Sequence, residues 1–146
     1  MTENNKNQIP VSEGTKRMLN LVKDEFFPIT NEIKELLIEI QKIRIKIPIF
    51  SKKLNNLEKE YEDVSKRFYS VVKKLETPDD LFEGLESNQQ DIVGYFQFQK
   101  PIANNINSSS KYIEIIDRTL DRKKERIQNF RTLVLAIVAI VISVFL

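Results

Sequence analysis

Residues 29–75 read ITNEIKELLIEIQKIRIKIPIFSKKLNNLEKEYEDVSKRFYSVVKKL. Apolar side chains recur at Ile29, Ile33, Leu36, Ile40, Ile43, Ile47, Phe50, Leu54, Leu57, Tyr61, Val64, Phe68, Val71 and Leu75, in alternating steps of four and three. On a helix of about 3.6 residues per turn such a line holds to one face, and the Lys, Glu, Asn, Ser and Arg residues between stay in water. The spacing predicts an all-α fold, a helical bundle or coiled coil. Ile33, Leu36, Ile40, Ile43, Leu54, Leu57, Tyr61, Val64 and Phe68 form the seam expected to hold a helical partner protein or a second copy of the chain.

Pro48 stands in the middle of this line. Its ring crowds the carbonyl of Arg44 and removes one hydrogen bond, at about 3 kcal/mol. Either one kinked helix runs about 70 Å from Ile29 to Leu75, or the chain folds back near residues 48–51 with Ser51 capping the return helix. The hairpin is the better reading, because it gives a small domain its own core. A strand through Ile43, Ile45, Ile47 and Ile49 ranks last, having no partner with a turn signal. The basic residues Lys42, Arg44, Lys46, Lys52 and Lys53 read as a solvated face before they read as a membrane contact.

Residues 1–11 are expected to be disordered and 12–102 to form the helical body. Ser12 is placed to cap a helix carrying Met18, Leu19, Val22 and Phe26, which Pro28 should end, with Thr30 capping the next. Thr77-Pro78-Asp79-Asp80 marks a helix start. The acids Asp79, Asp80, Glu83 and Glu86 fit the macrodipole better than a cation site. Tyr95, Phe96 and Phe98 read as core residues before they read as a docking patch. Residues 103–110, ANNINSSS, are expected to be a flexible linker.

Residues 111–131 are then an amphipathic basic helix, with Ile113, Ile116, Leu120, Ile127 and Phe130 on its stripe and Lys123 interrupting. Residues 132–146, TLVLAIVAIVISVFL, hold no charge. Fifteen residues rise about 22 Å, short of a hydrocarbon core of about 30 Å. Gln128, Asn129 and Phe130, with Arg131 snorkelling, extend the span. The expectation is a C-terminal transmembrane helix, single-pass, anchoring the chain by its tail. The flanking basic residues Arg122, Lys123, Lys124, Arg126 and Arg131 place the N-terminal body in the cytoplasm. The N-terminal residues have no apolar core of a signal peptide. Helical stretch, basic collar and apolar tail resemble the layout of tail-anchored SNARE proteins. The likeness stops at layout, because no central polar layer interrupts a long apolar line beside the anchor.

The chain has no His and no Cys, which removes imidazole bases, thiolates, disulfides and nearly every transition-metal site. Its glycines, three in all, make no phosphate loop. A net charge of +2 gives no drive toward nucleic acid. No cofactor, metal or small-molecule substrate is expected. The expected function is therefore non-enzymatic: a membrane-anchored helical scaffold or adaptor mediating protein–protein association, its partners the lipid bilayer and a helical protein or itself. The alternative is a membrane-active, pore-forming or permeabilising effector.

Overall fold

The structure, a computed structural model, describes residues 12–43, 52–86 and 92–145. These are nearly all helical, with no strand among them. Helix α1 spans Glu13–Leu21, α2 Phe27–Lys42, α3 Lys52–Glu76, α4 Pro78–Phe82 and α5 Ile92–Phe145. Ser12 caps α1 as expected, its Oγ accepting from the Thr15 backbone N–H at 3.2 Å.

Pro28 does not end the first helix. A π-helical turn, Val22–Phe26, joins α1 to α2 without a break. Proline lacks an N–H and its ring crowds the carbonyl four residues back, here that of Asp24. The wide turn lies over that point, with the Phe27 N–H reaching back to the Val22 carbonyl. The buried residues Met18, Val22 and Phe26 are spaced by two successive fours. On an α-helix each such step leads the face by about 40°, and a wider turn takes up that lead. Thr30, expected as a cap, sits inside α2 and donates to the Phe27 carbonyl at 2.9 Å.

Helices α2 and α3 run antiparallel. Lys74 pairs with Glu25 at 3.0 Å, and Arg67 pairs with Glu32. The Phe26 and Phe68 rings stack with centroids 6.2 Å apart. A single extended helix from Ile29 to Leu75 is thereby excluded. Pro48, the Ser51 cap and the strand alternative beyond Ile43 fall in residues 44–51, outside the described residues; Ile43 itself is the C-cap of α2.

The hydroxyl of Thr77 closes α3 by donating to the Lys73 carbonyl and makes no cap bond to α4, contrary to the sequence reading. After α4, the Leu85 N–H donates to the Phe82 carbonyl at 3.0 Å. Glu83 at φ −53°, ψ 127° and Gly84 at φ 74° give that turn the type II form, which needs a positive φ at its third residue.

Helix α5 passes through Pro101 and through residues 103–110. The expected linker is helical. Asn105 donates to the Pro101 carbonyl at 3.0 Å and Ser108 to the Asn104 carbonyl at 2.9 Å, so these side chains turn back on their own helix. Packing overrides their weak helix propensity: Ser109 is buried, and Ile102 and Ile106 lie against the core.

One apolar core joins these helices, with Met18, Phe26, Ile33, Ile40, Leu54, Val64, Phe68 and Ile116 among its fully buried side chains. Two tyrosines tie α3 to α5: Tyr61 donates to the Ile113 carbonyl at 3.4 Å and Tyr95 to the Leu75 carbonyl at 2.8 Å. These pairs set α3 antiparallel to α5, so α1–α2 and α5 run one way, packed directly on each other, and α3 runs back against them.

Candidate membrane interface

The first half of α5, from Tyr95 to Ile127, contributes buried side chains to the core. Beyond Arg131 the helix continues past the body, and its side chains from Leu135 to Val144 are all exposed. Leu133, Leu135, Ile137, Val138, Ile140, Val141, Ile142 and Val144 are all exposed, Leu135 to 68% and Val144 to 72%. Thr132, Ala136, Ala139 and Ser143 fill the remaining arc of the helix and are exposed as well, so the exposed surface is a sleeve and not a stripe. Thr132 donates to the Gln128 carbonyl at 3.1 Å and Ser143 to the Ile140 carbonyl at 2.8 Å. Both hydroxyls are spent on their own backbone. The helix is long and apolar enough to cross a membrane. In water such a sleeve is unfavourable by about 25 cal/mol for each Å² of apolar surface.

The basic residues before the sleeve have distinct environments. Lys123 is half-buried, and its Nζ donates to the Ile43 carbonyl at the end of α2, 2.8 Å away. Lys124 pairs with Glu58 of α3, and the hydrogen-bonded carboxylate holds its ammonium above the usual lysine range. Arg122, Arg126 and Arg131 are exposed. Arg118, a turn earlier, pairs with Glu114. The end of α2, the start of α3 and the foot of the sleeve therefore meet at one level of the molecule.

The proposed partner seam lies elsewhere. Ile33, Leu36, Ile40, Leu54, Leu57, Tyr61, Val64 and Phe68 are buried in the chain's own core, and Ile43 is half-buried against it. Their apolar faces are already occupied, so a partner cannot use them without opening the fold. Burial pushes the Tyr61 phenol above its ordinary range, which fits a side chain in the interior. The aromatic cluster divides. Tyr95 is core, its ring edge-on to Phe82 at 5.8 Å, whereas Phe96 and Phe98 are exposed.

Sequence reasoning treated Lys123 as a flanking basic residue and as an interruption of a stripe, not as the partner of a helix end, and passed over Glu58, which holds Lys124. The signal for Lys123 was its place: Ile113, Ile116, Leu120, Lys123 and Ile127 continue the steps of three and four. A lysine on a buried line has to reach an acceptor.

No known family profile, no curated protein and no solved structure matches this chain.

Proposed function

We propose that this chain is a non-enzymatic, membrane-anchored adaptor: a cytoplasmic body of antiparallel helices, fixed to the bilayer by the apolar end of α5. The observation that carries the reading is the unbroken passage of α5 from the core at Tyr95 to the exposed apolar sleeve at Leu133–Val144. A helix without a joint transmits the position of the bilayer to the body. Phe98 stands 33 residues before Arg131, so the exposed aromatic pair Phe96 and Phe98 is held about 50 Å from the headgroups. Partner docking belongs to such outer faces, since the heptad residues fill the core. The excess of basic residues around 118–131 supports a cytoplasmic body.

The membrane-permeabilising alternative is weaker on this evidence of side chains. A water-filled pore needs a polar lining. Both hydroxyls on the sleeve bond to their own helix, and no charged residue lies beyond Arg131.

Alkaline washing of membranes from cells expressing the full chain tests the anchor. Retention in the pellet is expected, and recovery in the supernatant overturns the reading. Crosslinking at Phe96 and Phe98 tests the adaptor role: capture of one stoichiometric partner, or of a second copy, is expected. A chain that stays monomeric and partnerless in its own membrane argues against an adaptor.

A further inference from the structure

The end of the body nearest the sleeve collects positive charge from three helices. Residues 41–43 of α2, 52–58 of α3 and 121–131 of α5 meet there, because Lys123 bonds the Ile43 carbonyl and Lys124 pairs with Glu58. These stretches carry eight cations and three carboxylates. The other described residues of the body, 12–40, 59–86 and 92–120, carry twelve cations and sixteen carboxylates. A chain whose net charge is only +2 is thus polar along its length, positive at the collar and negative at the far end.

The cations of the collar end are open to water. Lys42, Lys52, Lys53, Arg122 and Arg126 are exposed, and none pairs with a carboxylate among the described residues. Of the three acids, Glu58 is taken by Lys124, which leaves Asp121 and Glu125, both on α5. Side chains on a helix lean toward its N-terminus. Helices α2 and α5 run toward the sleeve, so their side chains lean away from it. Helix α3 starts at the collar, so Lys52 and Lys53 lean toward the sleeve, with no acid before Glu58 on their helix. Lys52 lines one cleft with Arg131, the last charge before the sleeve, and in an anchored chain it stands at headgroup depth.

We propose that the collar end of the body is a membrane-facing surface that gathers anionic lipids beneath it, through charge and not through a headgroup pocket, with Lys52 and Lys53 extending it beyond the spanning helix. The proposal rests on the anchored reading above. Charge complementarity selects the occupant: an anionic leaflet attracts the positive end and repels the negative far end, and both effects set the body upright. A neutral leaflet does neither. Basic residues on α5 alone would serve topology. The lysines of α3 have no part in that, and they separate a lipid-gathering surface from a topological signal.

The test uses the full chain reconstituted in vesicles of phosphatidylcholine with either phosphatidylglycerol or phosphatidylserine, each lipid spin-labelled in turn. The fraction of each label immobilised by the protein measures its preference. Both anionic lipids should be preferred several-fold over phosphatidylcholine, and to similar extents. The preference should fall as salt rises from about 0.1 M to about 1 M, where the screening length drops from about 10 Å to about 3 Å. Lys52→Gln combined with Lys53→Gln should lower it, by up to about fivefold for each lysine near an anionic surface. Lys100→Gln combined with Lys111→Gln, on exposed positions of α5 far from the collar, should leave it unchanged. Equal immobilisation of all three lipids overturns the proposal, and so does a preference that survives the Lys52 and Lys53 substitutions with helicity intact. Selection of one anionic headgroup over the other, or persistence at high salt, also overturns it, because the ligand is then held by a pocket. Alkaline washing of the same vesicles separates the two claims: protein in the supernatant overturns the anchor itself, whereas retained but unselective protein overturns only the lipid-gathering surface.

Discussion

The Nζ of Lys123 donates to the carbonyl oxygen of Ile43 across 2.8 Å, so α2 is closed by a side chain from a helix 80 residues further along the chain. Ile43 has left the helical conformation, at φ −63° and ψ 113°, and its own N–H reaches back to the Ile40 carbonyl. A cation at a helix C-terminus meets both an open acceptor and the negative end of the dipole. Lys123→Met keeps the apolar stem and removes the donor. It should cost about 1–2 kcal/mol, read from chemical denaturation of the reconstituted chain. Lys123→Arg should recover part of that loss, and a loss below about 0.3 kcal/mol for Lys123→Met would place the acceptor in water instead.

The heptad residues serve the interior, which changes what their substitution does. Phe68 is fully buried against Phe26, and Phe68→Ala should cost about 3–5 kcal/mol. Replacing Leu54, Leu57 and Tyr61 together by Asp puts carboxylates into the core, at a cost of several kcal/mol each. Circular dichroism should show loss of the body helices. A triple variant that keeps its helicity and loses only self-association would return these residues to an intermolecular seam.

Much of this arrangement was legible in the spacing, and its failures have physical causes. The steps of four and three located the buried faces of α2 and α3 because those faces are apolar almost without exception. The same line runs through α5 as Ile102, Ile106, Ser109, Ile113, Ile116, Leu120, Lys123 and Ile127, but Ser109 and Lys123 hid it. Composition made 103–110 look like a linker, although a small hydroxyl fits a helix contact as well as it fits a loop. Pro28 misled for a related reason: the cost of a proline inside a helix was counted, and the π turn that relieves it was not. The collar was visible as charge. The engagement of Lys123 and Lys124 was not, because it depends on α2 and α3 ending at the same level.

Stability should fall in alkali through the buried tyrosines. Burial pushes the phenols of Tyr61 and Tyr95 above the ordinary value near 10, so the unfolded chain ionises first. A folded pKa above the unfolded one gives a contribution that is complete below about pH 10 and is lost as pH rises beyond it. Denaturation midpoints should therefore hold steady from neutral to about pH 9 and then decline. Tyr61→Phe combined with Tyr95→Phe should flatten that decline, while costing about 2 kcal/mol at neutral pH for the two lost bonds, to Ile113 and Leu75. An equally steep alkaline loss in the double variant would assign it to other groups.

Gly84 holds the turn after α4 at φ 74°, and a Cβ there would meet no atom within 4 Å. Space is therefore not the constraint, and only the backbone conformation resists a side chain. Gly84→Ala should cost about 1–2 kcal/mol. Gly84→Asn should cost less, since Asn tolerates the left-handed region. If the two variants lose the same amount, the backbone conformation is not what limits this position.

The proposed anchor makes the sharpest demand on a single residue. Ile137 lies near the middle of the sleeve and is 52% exposed, with no neighbour in the body to lose. Ile137→Lys therefore leaves the fold of residues 12–127 untouched and acts only on transfer into lipid. A lysine at the centre of a spanning helix costs about 2.5–3.5 kcal/mol, and the lost isoleucine forfeits a further amount of about 0.5 kcal/mol. The variant should therefore move from the alkaline-resistant pellet to the supernatant with its helicity retained. Lys at Leu133, close to the interface, can snorkel and should stay in the pellet. The contrast between these two positions is the measurement that counts. If both variants remain in the pellet, or both leave it, depth in a bilayer is not what positions residues 132–145.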